Sequence, residues 1–187
     1  MNQGSVAGVP RPVLLAVAAA GLALVLLLAG ALMGGWRPFS PQPDVLTFGA
    51  DGDLEQFVLF DGQCARGELA AGSSFGPSAD AQCGEPHDVE VVAARAPIDQ
   101  SRPVSYPGEA AMAAFGRAFC ALYIDSDVLA PTASGVDRED LRMTAVVPNK
   151  AAFDDPRSAG STSGARQVSC LISRDDGQQL TDRFSVI

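Results

Sequence analysis

An uncharged apolar run near the N-terminus, residues 13–35, limits what this chain can fold into more than any other feature. As a helix its 23 residues would span about 34 Å, at a rise of about 1.5 Å per residue, and a hydrocarbon core is about 30 Å thick. Trp36 and Arg37 follow the run, and an aromatic ring beside a cation suits the headgroup region. We expect residues 13–35 to form a transmembrane helix that anchors the chain in the lipid bilayer.

The same run contains a candidate cleavage site. Ala29-Gly30-Ala31 has the small-residue spacing that signal peptidases accept. The apolar run continues past Ala31 and exceeds the roughly 7–15 apolar residues of a typical signal peptide. These two features favour a retained, single-pass anchor, with cleavage after Ala31 as the alternative.

The charged residues are distributed unevenly along the chain. There are 13 basic and 22 acidic side chains, a formal net charge of −9. All the acidic residues lie at or after Asp44, and only Arg11 and Arg37 precede it, so residues 44–187 carry 11 − 22 = −11. A surface of this sign repels a phosphate backbone, and we expect no nucleic-acid partner.

The four cysteines indicate the side of the membrane on which the remainder lies. Cys64, Cys83, Cys120 and Cys170 are an even set beyond the apolar run, without a Cys-x-x-Cys pair. Such a set is typical of disulfides formed in an oxidising compartment. We therefore place residues 1–12 in the cytoplasm and residues 36–187 outside the cell membrane.

The alternative to disulfides is that these cysteines bind zinc. Cys83 and His87 are four residues apart, a spacing that could supply two zinc ligands if two further cysteines came near. Pro86 prevents a helix from presenting both on one face, and an oxidising compartment favours bridging. We expect no metal and no cofactor.

Periodicity and turn residues divide the outer segment into elements. Three prolines in residues 36–47 favour an extended linker, and residues 48–187 follow as one domain. Apolar and β-branched runs predict strands, and an alanine-rich segment after Pro107 predicts one helix whose broad apolar face meets a sheet. The strands are expected at 56–60, 88–96, 142–147, 166–173 and 180–186, the helix at 107–124. This order indicates an α+β fold with a mainly antiparallel sheet.

Several motifs in the outer segment resemble one known family. They are Asp61-Gly62-Gln63-Cys64, Cys83-Gly84-Glu85-Pro86-His87-Asp88-Val89-Glu90-Val91-Val92, Tyr106-Pro107-Gly108, Cys120, and Gly164-Ala165-Arg166-Gln167-Val168-Ser169-Cys170. Together they resemble the septum-formation domain of actinobacterial membrane proteins, over about residues 56–187. The resemblance implies an envelope module associated with septation or the cell wall, and it implies no reaction.

The resemblance and the loop arrangement agree on a disulfide pairing. Cys64–Cys83 closes a loop rich in Gly and Ala before His87, and Cys120–Cys170 fastens the predicted helix to a late strand. We expect both bridges to be structural. The motif residues His87, Glu90 and Arg166 are the candidate contacts with an unidentified envelope protein or wall component.

The same residues also permit an enzymatic interpretation. His87, the only histidine, is followed by Asp88 and Glu90, so a hydrolase using His87 with a carboxylate is the alternative to a binding module. A histidine that begins a strand and bonds to backbone explains the same pattern more simply. Gly72-Ser73-Ser74-Phe75-Gly76 has the spacing of a serine-hydrolase elbow, but no apolar strand precedes it and Pro77 follows where a helix should begin. We expect a non-enzymatic binding module.

Overall fold

A computed structural model describes residues 42–96, 104–124, 126–130, 132–133, 135–154 and 166–186, together with Gly21 and Val25, which are helical. Residues 42–187 belong to one compact unit. Apart from Gly21 and Val25, the expected transmembrane run lies outside the described residues. Within them, no helix is long and apolar enough to cross a membrane.

The domain is built on a six-stranded, mainly antiparallel sheet. Three strands form its centre: β6 (Val89–Arg95), β9 (Leu141–Pro148) and β10 (Val168–Arg174). β10 lies between the other two and is antiparallel to both. β1 (Asp44–Phe48) is parallel to β9 at one edge, and the short strands β3 (Cys64–Ala65) and β5 (Asp80–Ala81) complete the other, in the order β1-β9-β10-β6-β3-β5.

Short elements fill the connections. β2 (Gln56–Phe57) pairs with β4 (Ser74–Phe75), and β7 (Thr132–Ala133) pairs with β8 (Val136–Asp137). The helices are α1 (Glu109–Ile124) and α2 (Lys150–Asp154), with single turns of 3-10 helix at Pro77–Ala79 and Arg138–Asp140. The expected α+β class, with a mainly antiparallel sheet and one main helix, is confirmed.

The central strands are apolar on both sides because both faces of the sheet are covered. Side chains alternate across a strand, so Met143, Ala145 and Val147 of β9 face α1 while Val146 faces the other way. That second face packs against the connecting segment between β1 and β6, which supplies four phenylalanine or leucine side chains: Leu54, Phe57, Leu59 and Phe75. The two layers explain why β6, β9 and β10 read as nearly continuous apolar runs.

Helix α1 approaches the sheet closely at one glycine. Met112, Gly116 and Cys120 are its buried residues, spaced four apart on one face. A Cβ atom at Gly116 would stand 2.5 Å from Cγ1 of Val147, so only glycine allows this separation. Phe115, next to Gly116 in the sequence, is 40% exposed and stacks on Phe119, so the buried face of α1 is narrower than the broad apolar face expected.

Three expectations about boundaries need correction. Residues 44–47, expected in the linker, form β1, because the apolar side chains of Val45 and Leu46 pack onto the sheet once β1 pairs with β9. The strand expected at 56–60 is limited to Gln56–Phe57. The segment 180–186 is not a strand of the sheet and makes only isolated bridges, at Leu180 and Ser185. Its backbone bonds to separate places, at His87, Val128 and Ala130, and the Glu90 side chain accepts the N–H groups of residues 184–185, so no continuous ladder forms.

Candidate functional site: a sealed polar centre and an open groove

Both disulfides have the expected pairing. Cys64–Cys83 joins β3 to the loop that precedes β6, across 19 positions of the chain. Cys120–Cys170 joins α1 to β10, across 50 positions. Cys64, Cys120 and Cys170 are fully buried, whereas Cys83 is partly exposed. The two bridges therefore differ in their access to solvent.

Glu90 is a buried carboxylate held by the C-terminal segment. It lies on β6, fully buried, on the face of the sheet that carries α1. One of its oxygens accepts the backbone N–H of Phe184 at 2.8 Å, and the other accepts the N–H of Ser185 at 2.8 Å and the Ser185 hydroxyl. Glu90 thus provides in its side chain the acceptors that a neighbouring strand would otherwise supply to residues 184–185.

His87 lies beside this carboxylate and is also fully buried. Its backbone pairs with Leu180 in both directions, at 2.9 and 2.8 Å. Its Nδ1 is 2.7 Å from the carbonyl oxygen of Glu85, so Nδ1 carries the proton and donates it there. Within the described part of the chain, the other ring nitrogen, Nε2, has no hydrogen-bond partner.

This arrangement lacks the order of groups that a serine hydrolase needs. In a catalytic triad the imidazole stands between the serine and the carboxylate. Here the hydroxyl of Ser185 donates directly to Glu90, and His87 donates to a backbone carbonyl. Neither His87 nor Glu90 lines the cavity over the ends of β1, β9 and β10 or the cavity between α1 and the start of α2. Their geometry therefore gives no support to the hydrolase alternative.

Of the three candidate contact residues, His87 and Glu90 are buried and Arg166 is partly exposed. A side chain needs exposure to touch a partner, and neither His87 nor Glu90 has any. Arg166 is partly exposed, and its guanidinium lies 4.7 Å from the ring centre of Phe153, which in turn packs edge-on against Tyr106. The three motif residues are thus not one site.

Arg183 joins the polar centre to the surface. Its Nη2 donates to the carbonyl oxygen of Gly62 at 3.0 Å and lies 3.2 Å from Sγ of Cys83. A guanidinium is therefore in contact with the more exposed sulfur of the first disulfide. Local sequence gives no sign of this contact, because Arg183 is 100 positions from Cys83 and belongs to no motif.

An open groove lies on the opposite face of the sheet from α1. It encloses about 670 Å³ over the ends of β1, β9 and β10, with the loop after β3 as one wall. Leu46, Thr144 and Ser173 line it, and Val89 and Leu69 complete its apolar part. The polar residues Thr144 and Ser173 interrupt otherwise apolar strands, which is the signal in the sequence that could have pointed to this groove.

Charged side chains surround the groove, with an excess of carboxylates. Arg142 is bound to Asp44 across the rim at 2.6 Å, and the Arg174 guanidinium donates to Asp176 at 2.9 Å. The bond between Arg174 and Asp176 raises the pKa of Arg174 and, together with the N–H of Gln178, lowers the pKa of Asp176. Besides Asp44, the carboxyl groups that line the groove belong to Glu68, Asp88 and Asp175. With both arginines already engaged, the groove favours cationic and hydrogen-bond-donating groups.

Comparisons with protein-family models, curated proteins and solved structures find no match to this chain. The resemblance to the septum-formation domain therefore stays a prediction.

Proposed function

We propose that residues 42–187 form a non-enzymatic binding module of the cell envelope, held at the membrane by residues 13–35. In this proposal the domain lies outside the cell, belongs with the septum-formation family and binds an envelope protein or wall component. Confinement to the membrane plane raises the effective concentration of a tethered domain toward membrane-bound partners, so a modest affinity suffices.

The burial of the His87 and Glu90 pair is the observation that carries the non-enzymatic part of the proposal. A general base must come within hydrogen-bond reach of a substrate proton. His87 and Glu90 are both 0% exposed, and both oxygens of Glu90 already accept bonds from residues 184–185. The role that suits them is to fasten the C-terminal segment to the sheet.

The groove supports the binding part of the proposal. It is concave, it lies on the face of the sheet opposite α1, beside the segment that covers the rest of that face, and it combines apolar floor residues with a charged rim. Pockets that combine apolar walls with a few polar groups are the usual sites for ligands. Its excess of carboxylates fits a partner that presents basic or amide groups, such as a basic protein segment or an amino-bearing wall polymer.

Site-specific photo-crosslinking in intact cells tests the proposal. A photoreactive amino acid replaces Gln178, an exposed residue at the groove, in the full-length chain. The matched control carries it at Ala118, an exposed residue of α1 on the other face of the sheet. We expect a discrete adduct from position 178 and none from position 118.

Two outcomes would contradict the groove as the binding surface. One is an adduct of the same size and yield from both positions. The other is the absence of any adduct from position 178 in chains that are abundant and have both disulfides intact. Digestion of the adduct identifies the partner as a protein or a polymer.

A further inference from the structure

We propose that Cys64, Cys83, His87 and Glu90 form a zinc site that becomes available when the Cys64–Cys83 disulfide is reduced. Sγ of Cys64, a ring nitrogen of His87 and a carboxylate oxygen of Glu90 all lie within 4.8 Å of one another. Sγ of Cys83 is bonded to Sγ of Cys64 at 2.01 Å. Three buried ligand atoms, one sulfur, one nitrogen and one oxygen, thus lie close together, and the fourth, Sγ of the partly exposed Cys83, is one S–S bond away from that set.

His87 is already arranged as a metal ligand. Zinc-binding histidines commonly donate one ring N–H to a carbonyl or carboxylate, which fixes the tautomer and leaves a lone pair on the other nitrogen. In this protein Nδ1 donates to the Glu85 carbonyl at 2.7 Å. Nε2 is buried and has no hydrogen-bond partner among the described residues. A buried nitrogen left without a partner costs free energy, and a metal ion would remove that cost.

The distances suit a tetrahedral ion after a small adjustment. With bonds of about 2.3 Å to sulfur and about 2.0 Å to nitrogen or oxygen, ligand atoms around zinc are roughly 3.3–3.8 Å apart. The three atoms within 4.8 Å need to close by about 1.5 Å at most. The sulfurs of Cys64 and Cys83 need to separate, which reduction itself permits.

Glu90 can serve without giving up its structural role. A carboxylate offers about four acceptor positions. Three are used by the N–H groups of Phe184 and Ser185 and by the Ser185 hydroxyl. The remaining position is available to an ion while residues 184–185 stay fastened.

The charges also favour a dication. After reduction, two thiolates and one carboxylate would carry −3, and Zn²⁺ reduces this to −1. Arg183, 3.2 Å from Sγ of Cys83, supplies a positive charge at the surface side of the set. Without an ion, the same negative groups would repel one another in a buried place, so reduction and metal binding support each other.

The chemistry requires a dithiol or phosphine reductant. A dithiol attacks Sγ of the partly exposed Cys83, Cys64 leaves as a thiol, and the second thiol of the reagent then releases Cys83. Two electrons pass from the reagent to the protein: a dithiol becomes a disulfide, whereas a phosphine attacks the same sulfur and becomes a phosphine oxide, with water supplying the oxygen and the two thiol protons. Binding of Zn²⁺ then displaces one proton from each cysteine. Cys120 and Cys170 are both fully buried and provide an internal comparison.

Metal titration of the full-length chain in detergent tests the proposal. The chain is reduced with a phosphine, freed of metal, and titrated with Zn²⁺ against a chromophoric chelator. We expect one Zn²⁺ per chain after reduction and none in the oxidised chain. With Co²⁺ in its place, we expect thiolate charge-transfer absorption and the intense visible bands of a tetrahedral site. His87→Ala should weaken zinc binding by about 100-fold or more.

Paired cysteine variants provide the matched control. The Cys120→Ala/Cys170→Val double variant should keep the stoichiometry and the Co²⁺ spectrum, and the Cys64→Ser/Cys83→Ser double variant should lose both. Circular dichroism confirms that each chain compared is folded. Where a double variant does not fold, the test rests on the zinc stoichiometry of the reduced natural chain and on the zinc affinity of His87→Ala.

Each contrary result overturns the proposal. A folded, reduced natural chain that binds no zinc would do so, as would a Co²⁺ spectrum without thiolate bands. Equal zinc affinity in His87→Ala, or binding that depends on Cys120 and Cys170, would place the metal elsewhere. None of these results bears on the groove, so the proposed function is tested separately.

Discussion

Replacing Glu90 by glutamine should cost the domain about 3–5 kcal/mol of its free energy of unfolding. The carboxylate accepts two backbone N–H groups at 2.8 Å and one hydroxyl, all inside the protein. Glutamine keeps one oxygen and turns an NH₂ group toward a donor. The change removes at least one bond to a charged group, about 1.5–3 kcal/mol, and leaves a buried N–H unpaired, about 1–3 kcal/mol. Domains are stable by only about 5–15 kcal/mol, so the loss is easily measured.

A neighbouring residue supplies the control for this prediction. Glu85→Gln makes the same chemical change in a half-exposed side chain that pairs with Arg66 at 3.3 Å. Exposed pairs contribute about 0–1 kcal/mol, so Glu85→Gln should be nearly neutral.

Denaturant unfolding of the full-length chain in detergent measures both variants. Hydrogen exchange at Phe184 and Ser185 reports the local effect, and these amides should lose protection only in Glu90→Gln. Equal unfolding free energies for the two variants would refute the idea that Glu90 fastens the C-terminal segment.

Three further outcomes follow from other parts of the domain. Cys120→Ser and Cys170→Ser should each cost about 2–5 kcal/mol in unfolding experiments, and the double variant little more, since each breaks the same bridge; additive losses would contradict this. Burial, aided by the charge of Glu109, raises the pKa of the Tyr106 hydroxyl. As pH rises, the unfolded chain therefore loses the hydroxyl proton before the folded chain does, and the free energy of unfolding falls above about pH 10. Tyr106→Phe should reduce that fall in denaturation curves between about pH 8 and 11, and an unchanged pH dependence would oppose it. Protease treatment of intact protoplasts should remove a C-terminal tag, and protection of the tag would reverse the proposed orientation.

Local sequence was sufficient for the main elements of the fold. The helix α1 was identified by Pro107 and the alanines that follow, and β6, β9 and β10 by β-branched apolar runs. These segments bury enough apolar surface for their own pattern to determine their structure. The disulfide pairing is the one, among three possible, that the loops between the cysteines and the resemblance to the septum-formation domain both favour.

Long-range contacts explain what local sequence could not predict. β1 was assigned to the linker because prolines precede it, while its partner strand β9 lies about 100 positions further along the chain. The apolar spacing of residues 180–186 suggested a strand, yet Leu180 and Phe184 fill the core while Glu90, 94 positions away from Phe184, accepts the backbone donors. Strand propensity describes local preferences and carries no information on such a contact.

Long-range contacts also determine the environment of His87 and Glu90, which their local motif does not predict. The sequence marked His87 and Glu90 as residues of interest, but their full burial depends on the segment 180–186 folding over them. Arg183 and the groove residues Thr144 and Ser173 carry no motif and came to notice only through their positions in the fold.

Complementation in the source organism separates two possibilities. Either the domain acts by binding at the groove, as we propose, or it acts by chemistry at His87. Ser173→Trp fills the groove, and His87→Ala removes the imidazole. Growth and the position of a fluorescent fusion are scored at matched abundance, with both disulfides intact. We predict that Ser173→Trp fails to complement and that His87→Ala complements. A correctly localised, abundant His87→Ala chain with no function, beside a functional Ser173→Trp chain, would contradict the account.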